Sequence, residues 1–302
     1  LVSSSPSAYE YSENFFIKKL QGYFHLMKPR VMILVIFTAF VGMMLAPGIV
    51  SPISYFYVLL SITLGAGSSA AINMWFDEDI DKSMERTKTR PIPLGVITKT
   101  EALIFGLLTG VLSLIIMYYV SNTLATSLLL FTILFYIVIY TFWLKRTTSL
   151  NIVIGGAAGA IPPIIGWSTV IPEISYLPIT MFLIIFFWTP PHFWALAILR
   201  KDEYFQAGVP MLPNTSGIKK TKIQIFVYTL VLFFFSFMPY LFGFNHTFYL
   251  IFTAVFGLEF IRRSWECLKG SKNSEQKLFS FSIVYLFLLF LVILLDKLYF
   301  NI

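Results

Sequence analysis

Long apolar runs, separated by short polar or Pro/Gly-containing breaks, recur along almost the whole of this sequence. A helix needs about 20 consecutive apolar residues to cross the hydrocarbon core of a bilayer. Nine runs reach or approach that length, at residues 31–50, 55–76, 101–120, 123–144, 150–170, 176–198, 223–243, 247–263 and 278–297. We therefore predict an all-α, polytopic membrane protein with about nine transmembrane helices.

The composition excludes the main soluble classes of protein. Hydrophobic residues make up 57% of the 302 residues and charged residues only 12%, whereas soluble domains carry about 25% charged residues. The chain has too little charge to cover a water-facing surface and is too apolar for a disordered protein. Its single cysteine, Cys267, excludes an internal disulfide and a cysteine-rich metal site.

The basic residues indicate an orientation in the membrane and not a nucleic-acid partner. The formal net charge is +7, and Lys and Arg concentrate in the cytoplasmic loops of membrane proteins. If the N-terminus is cytoplasmic, every Lys and Arg except Lys297 falls on the cytoplasmic side or at a helix end beside it. We predict a cytoplasmic N-terminus and no binding of nucleic acid.

Two of the loops on that side, 77–100 and 199–222, are long, charged and rich in Pro and Gly. They follow the second and sixth predicted spans, which suggests two four-helix halves and a ninth helix. We therefore predict a polar N-terminal tail, 1–25, and a single membrane domain, 26–302. Functional polar groups concentrate on loops of this kind, so the chemistry is expected there.

The first loop begins with a regularly spaced set of oxygen-bearing side chains. Asn73, Asp77 and Asp81 are four residues apart, so a continuing helix places them on one face. Two carboxylates and an amide oxygen form a hard-oxygen site that suits Mg²⁺, an ion that also retains water and substrate phosphates as ligands. The alternative is a solvated charged loop that only sets the topology.

Basic residues follow this set at once, namely Arg86, Lys88 and Arg90. Guanidinium and ammonium groups beside a magnesium site suggest a polyphosphate ligand, and diphosphate in particular. On these grounds we predict catalytic roles for Asp77, Asp81, Arg86 and Lys88, and substrate contacts from Asn73 and Arg90.

The second loop opens with Lys201, Asp202, Glu203 and Tyr204. Its position in the second half corresponds to that of the first loop, so Asp202 and Glu203 are candidate ligands of a second metal. The two acids are adjacent, so they do not share one helical face.

Together these residues resemble the UbiA superfamily of intramembrane prenyltransferases, and within it the branch that acts on heme. The first aspartate motif is typical of the superfamily, whereas the remaining stretches are typical of the heme branch. The matching stretches lie at 26–32, 65–91, 140–167, 188–198 and 203–213. One departure is that the second loop lacks the Asp-x3-Asp pattern common in the superfamily.

The resemblance implies transfer of a farnesyl group from farnesyl diphosphate to a vinyl group of heme B, giving heme O for terminal oxidases. It implies Mg²⁺ as cofactor, the cell inner membrane as location, and heme A synthase as a partner. Lys201 and Tyr204 become candidate contacts to the diphosphate or an intermediate, and His192 a candidate contact to heme, although a lone histidine in an apolar helix is more often structural.

Two alternatives stay open on the sequence. One is the same chemistry on an aromatic precursor of quinones, against which the stretches at 140–167 and 188–213 argue. The other is a transporter with an acidic ion site. Transporter sites tend to lie near the bilayer midplane, whereas these acids lie at helix ends.

Overall fold

The computed structural model describes residues 8–300, with side chains from residue 16 onward, and every regular element in that range is helical. The first nine α-helices are α1 Ala8–Leu26, α2 Pro29–Leu45, α3 Pro52–Phe76, α4 Glu78–Ser83, α5 Lys99–Val120, α6 Thr123–Leu134, α7 Lys145–Thr147, α8 Asn151–Ala160 and α9 Pro162–Val170. The other seven are α10 Tyr176–Leu199, α11 Lys201–Gln206, α12 Leu212–Thr215, α13 Ile218–Ser236, α14 Met238–Leu241, α15 Thr247–Lys269 and α16 Ser274–Phe300.

The predicted all-α membrane architecture is confirmed. Within the described residues, seven helical segments are long and apolar enough to cross a membrane, and an eighth is formed by residues 16–26 of α1 together with α2, bent by 47°. These eight match eight of the predicted runs. Helix α15 covers the remaining run, 247–263, but carries charged residues in its second half, so the count of nine spans stays a prediction.

The predicted N-terminal tail, 1–25, lies partly outside the described residues. Residues 8–26 form α1, which breaks at Lys28 before α2. Lys28 itself has a left-handed backbone, with φ of 54°. Since α1 and α2 meet at this break, a turn and not a regular helix sets the direction of the Lys28 side chain.

Two apolar cores hold the bundle together. One is centred on α10, α13, α15 and α16 and contains Trp194, Tyr249 and Phe290, while the other includes residues of α3, α5, α6 and α9, such as Ile62 and Met117. Helices α2 and α9 cross closely, since a Cβ on Gly166 would lie 2.0 Å from the Ala39 carbonyl oxygen. Small residues allow this approach in membrane helices.

The predicted division of the bundle into two four-helix halves stays a proposal.

Helix α6 continues as a π-helix, Phe135–Leu144, before α7. The Thr141 hydroxyl donates to the Tyr136 carbonyl at 2.9 Å, and α8 packs on this segment through Gly155, where a Cβ would lie 2.2 Å from the Tyr140 ring. Wide turns of this kind are frequent at functional sites. Here the segment ends at the basic pair Lys145 and Arg146.

Candidate active site

The predicted oxygen-bearing side chains lie at the junction of α3 and α4. The amide of Asp77 donates to the Asn73 carbonyl at 2.9 Å, and the amide of Asp81 donates to the Asp77 carbonyl at 2.8 Å. The four-residue spacing therefore continues through the junction, although the backbone of Asp77 leaves helical geometry at φ −92° and ψ 17°. All three residues are buried, with exposures of 3% for Asn73, 0% for Asp77 and 2% for Asp81.

Basic side chains from distant segments surround these three residues. Lys28 Nζ donates to Asn73 Oδ1 at 2.7 Å, and Lys145 forms an ion pair with Asp77 Oδ2. Arg90 donates to both carboxylate oxygens of Asp81 at 2.7 Å. We call these six residues the aspartate cluster. Each acid in it is neutralised, which offsets the cost of burying a carboxylate.

One oxygen in this cluster has no hydrogen bond. Asp77 Oδ1 is buried and lacks a hydrogen-bonded partner, although Arg146 Nη2 lies 3.5 Å away. Asp77 Oδ2, by contrast, accepts from Asn73 Nδ2 at 2.7 Å as well as from Lys145. A buried carboxylate oxygen with spare acceptor capacity, beside a second carboxylate, fits a hard cation such as Mg²⁺.

The acids of the two loops do not form one metal site. Within the described part of the chain, no three side chains of His, Cys, Asp or Glu come together as a metal-binding group. An ion held by Asp77 and Asp81 would therefore complete its ligands with amide oxygens, water or substrate phosphates, which is the coordination Mg²⁺ favours.

Asp79 and Lys88 lie on the outside of the first loop. Asp79 is 66% exposed and accepts from both terminal nitrogens of Arg146, at 2.8 and 2.7 Å. These hydrogen bonds stabilise the carboxylate and lower the pKa of Asp79 to about 2. Lys88 pairs with Glu85 at 2.6 Å in an exposed position, so the structure does not bring Lys88 to the aspartate cluster, and its catalytic role stays a prediction.

The second loop is organised differently. Asp202 is exposed and makes no hydrogen bond or ion pair to another described residue, and Lys201 is only partly buried. Glu203 accepts from Arg200 Nη1 at 2.7 Å and from the Arg86 amide at 3.4 Å. Tyr204 is buried in an apolar group that includes Ile80 and Met84 of the first loop, so these residues fasten the two loops together.

Arg86 lies on a cavity formed where the two loops approach α16. The cavity has a volume of about 470 Å³, and its lining residues are Arg86, Leu196, Leu199, Arg200, Gln276 and Phe279. No hydrogen bond or ion pair joins the Arg86 guanidinium to another described side chain. Arg90, by contrast, binds Asp81 through two hydrogen bonds.

His192 lies within α10, beside this cavity. Its ring stacks between Trp188 and Phe279, with centroid distances of 4.4 and 4.6 Å, and its Nδ1 lies 2.7 Å from Ser282 Oγ. Ser282 Oγ donates its only proton to the Phe279 carbonyl at 2.6 Å, so His192 Nδ1 is the donor in the pair. The other ring nitrogen, Nε2, is then left with a free lone pair.

Sequence reasoning did not single out Lys28, Lys145, Arg146 or Arg200 as site residues. Each was counted only among the basic residues that set orientation. Lys28 and Lys145 lie 45 and 68 residues from their partners in the aspartate cluster, so spacing along the chain carries no signal of these contacts. The one local sign is that Lys145 and Arg146 directly follow an apolar helix.

Comparison with known proteins identifies the family. A model described as the UbiA prenyltransferase family matches residues 35–293. A protein from Sinorhizobium fredii named protoheme IX farnesyltransferase is 51% identical over 281 residues, covering 91% of this chain and 88% of its own. A protein of the same name from Parvibaculum lavamentivorans is 49% identical over 282 residues, covering 92% of this chain and 89% of its own.

Solved structures share the fold at low identity. A digeranylgeranylglyceryl phosphate synthase gives a TM-score of 0.78 at 20% identity, covering 93% of this chain and 99% of that one. A UbiA homologue from Archaeoglobus fulgidus bound to GPP and Mg²⁺ gives a TM-score of 0.65 at 18% identity, covering 90% of this chain and 99% of that one. With its buried aspartate cluster and its multi-span helical bundle, this chain belongs to the UbiA prenyltransferase family.

Proposed function

We propose that this prenyltransferase moves a farnesyl group from farnesyl diphosphate to a vinyl group of heme B, with addition of water, to give heme O. The single observation that carries the reaction type is the buried aspartate cluster, in which carboxylates and cations lie together at the end of α3. The choice of acceptor rests on relatives about half identical over nine tenths of the chain, which are named protoheme IX farnesyltransferase.

The first step is cleavage of the bond between the allylic carbon and the diphosphate oxygen. The electron pair leaves with the diphosphate, so negative charge grows on the leaving group and positive charge on the farnesyl carbon. Lys28, Arg90 and Lys145 stabilise that negative charge, because preorganised cations act strongly in a site shielded from water. When bound, Mg²⁺ would be held by Asn73, Asp77 and Asp81 and would add positive charge at the diphosphate.

The second step joins the two substrates. The vinyl electrons form the new bond to the farnesyl carbon, which leaves the vinyl carbon beside the porphyrin ring electron-deficient. Water adds there and releases one proton, so farnesyl diphosphate, heme B and water give heme O and diphosphate. Burial of the aspartate cluster keeps water from the farnesyl cation before the vinyl group attacks.

His192 is proposed to contact the heme. Its Nδ1 is committed to Ser282, and its Nε2 lone pair is the kind of donor that binds heme iron. A neutral, oriented imidazole of this kind would hold the porphyrin by its iron and leave the vinyl edge to face the farnesyl carbon. Tyr204 and Lys201, close to this region in the second loop, stay predicted substrate contacts.

The protein is further proposed to lie in the cell inner membrane with both long loops in the cytoplasm, since nearly all Lys and Arg would then be cytoplasmic. Heme O made in that membrane would pass to heme A synthase, the proposed partner.

The test is a product analysis on the whole protein in membranes. Membranes with and without the protein would receive farnesyl diphosphate, Mg²⁺ and heme B, and the extracted pigment would be examined by mass spectrometry. We expect a heme heavier by one farnesyl group and one hydroxyl group. An unchanged heme, together with prenylation of an added phenolic acid, would move the assignment to the quinone branch.

A further inference from the structure

The cavity beside His192 combines two features that rarely occur together in a bilayer protein. Arg86 and Arg200 place two guanidinium groups at it, whereas Leu196, Leu199 and Phe279 supply apolar walls. Its volume of about 470 Å³ is in the usual range for small-molecule sites. A ligand that fits this lining is large and apolar and carries two negative charges.

Glu203 contacts both arginines, but only one of them through its guanidinium. One of its carboxylate oxygens accepts from the Arg200 guanidinium, and the other accepts from the backbone amide of Arg86. Arg200 uses one terminal nitrogen in this pair, so its remaining N–H groups stay available, as does the whole guanidinium of Arg86. This arrangement gives Glu203 a task that needs no metal ion.

The cavity borders the proposed acceptor site. Phe279 lines the cavity, and its ring stacks on His192. A ligand that extends from the arginines past Phe279 would therefore approach the histidine. None of the six residues of the aspartate cluster lines this cavity.

We propose that Arg86 and Arg200 bind the two propionate carboxylates of the acceptor heme, and that Glu203 is the positioning residue that holds them. This inference rests on the proposed function. It assigns Arg86 to the acceptor and not to the diphosphate. Paired guanidinium–carboxylate contacts are directional and strong, so they would fix which edge of the porphyrin points into the bundle.

The test compares heme B with its dimethyl ester, which has the same ring but no propionate charge. The protein in phosphatidylcholine nanodiscs, with empty nanodiscs as blank, would be titrated with each pigment and followed by absorbance. Arg86→Gln and Arg200→Gln are each expected to weaken heme B binding by about tenfold, the usual scale for a charged hydrogen bond, and to leave binding of the ester unchanged. Glu203→Gln is expected to weaken heme B binding by about threefold and to leave binding of the ester unchanged.

Arg262→Gln is the matched control, because Arg262 is an exposed arginine of α15 paired with Glu259 and Glu266. It should bind both pigments as the unsubstituted protein does. Equal weakening for acid and ester in Arg86→Gln and Arg200→Gln would overturn the proposal, as it would show a loss of structure. A raised KM for farnesyl diphosphate in Arg86→Gln, with heme affinity unchanged, would also overturn it. Arg86 would then be a contact of the diphosphate.

Failure of the proposed function is distinguishable from either outcome. In that case the unsubstituted protein would bind neither pigment above the blank, or would form no farnesylated heme in the product analysis. Charge-dependent binding lost in the two arginine variants supports the carboxylate site through a measurement that needs no turnover.

Discussion

The two long loops follow α3 and α10, and their acidic residues are used in different ways. In the first loop, Asp77 and Asp81 are almost wholly buried and each is paired with a cation. In the second, Asp202 is exposed, and Glu203 accepts from the Arg200 guanidinium and from the backbone amide of Arg86. Two long charged loops of one chain therefore need not have the same chemistry. What distinguishes the first loop is burial together with cations contributed by other helices.

The largest expected effect is in the first loop. Asp77→Asn or Asp81→Asn keeps the shape of the side chain but removes the charge, so turnover should fall by at least about a thousandfold. The measurement is heme O formation in membranes matched for the amount of inserted protein. Asp79→Asn, in the same turn but facing solvent, is the control and should lose less than about tenfold. Full activity in Asp77→Asn would remove the basis for the metal site.

A second prediction separates charge compensation from catalysis. Lys145→Gln removes the closer of the two cations paired with the buried Asp77 and leaves only Arg146 at 3.5 Å, so the free energy of unfolding should fall by about 3 kcal/mol, as measured by thermal unfolding in nanodiscs. In the double variant Asp77→Asn/Lys145→Gln, most of that stability should return because no unpaired charge is left. Activity should stay lost. Additive stability losses in this double-mutant cycle would contradict the pairing.

In the second loop the expected effects are smaller. Asp202→Asn should keep at least about ten times more turnover than Asp77→Asn, since Asp202 is exposed and has no partner among the described residues. Steady-state assays at varied Mg²⁺ concentration provide the measurement. Should Asp202→Asn need much more Mg²⁺ for half-maximal activity, the second loop would hold a metal as its sequence suggests, and the contrast between the loops would disappear.

The smallest effect concerns pH. The pKa of Asp79 is lowered to about 2 by its hydrogen bonds from Arg146, so this pair contributes fully above the ordinary carboxyl pKa and is lost only as the pH falls towards 2. Asp79→Asn should therefore lower the free energy of unfolding by less than about 1 kcal/mol. That difference should be constant between about pH 5 and about pH 8. A difference that grows across this range would show that another group titrates at the site.

Much of the fold and part of the site follow from local patterns in the sequence. Apolar runs predicted the helices, because the bilayer imposes length and composition on each one separately. The spacing of Asn73, Asp77 and Asp81 predicted their common placement, because helical geometry relates residues four apart. Lys28 and Lys145 reach Asn73 and Asp77 only through the packing of distant helices, and no pattern within one segment records that packing. The roles of Arg86 and Lys88 stay predictions, because neither forms a contact with the aspartate cluster that spacing along the chain could be checked against.

The π-helix before Lys145 has a consequence for how chain length relates to chemistry. Each wide turn accommodates one residue more than an α-turn does, and one residue corresponds to about 100° of rotation around an α-helix. If residues 135–144 wound as a regular α-helix without losing a residue, the basic pair at the end would rotate by about 100° for each extra residue that the wide turns no longer absorb, and it would point away from Asp77. The wide turns therefore let this segment hold more residues than an α-helix with the same number of turns while Lys145 still faces Asp77. Substitutions that favour regular α-helix there would act on the active site although every catalytic side chain is retained.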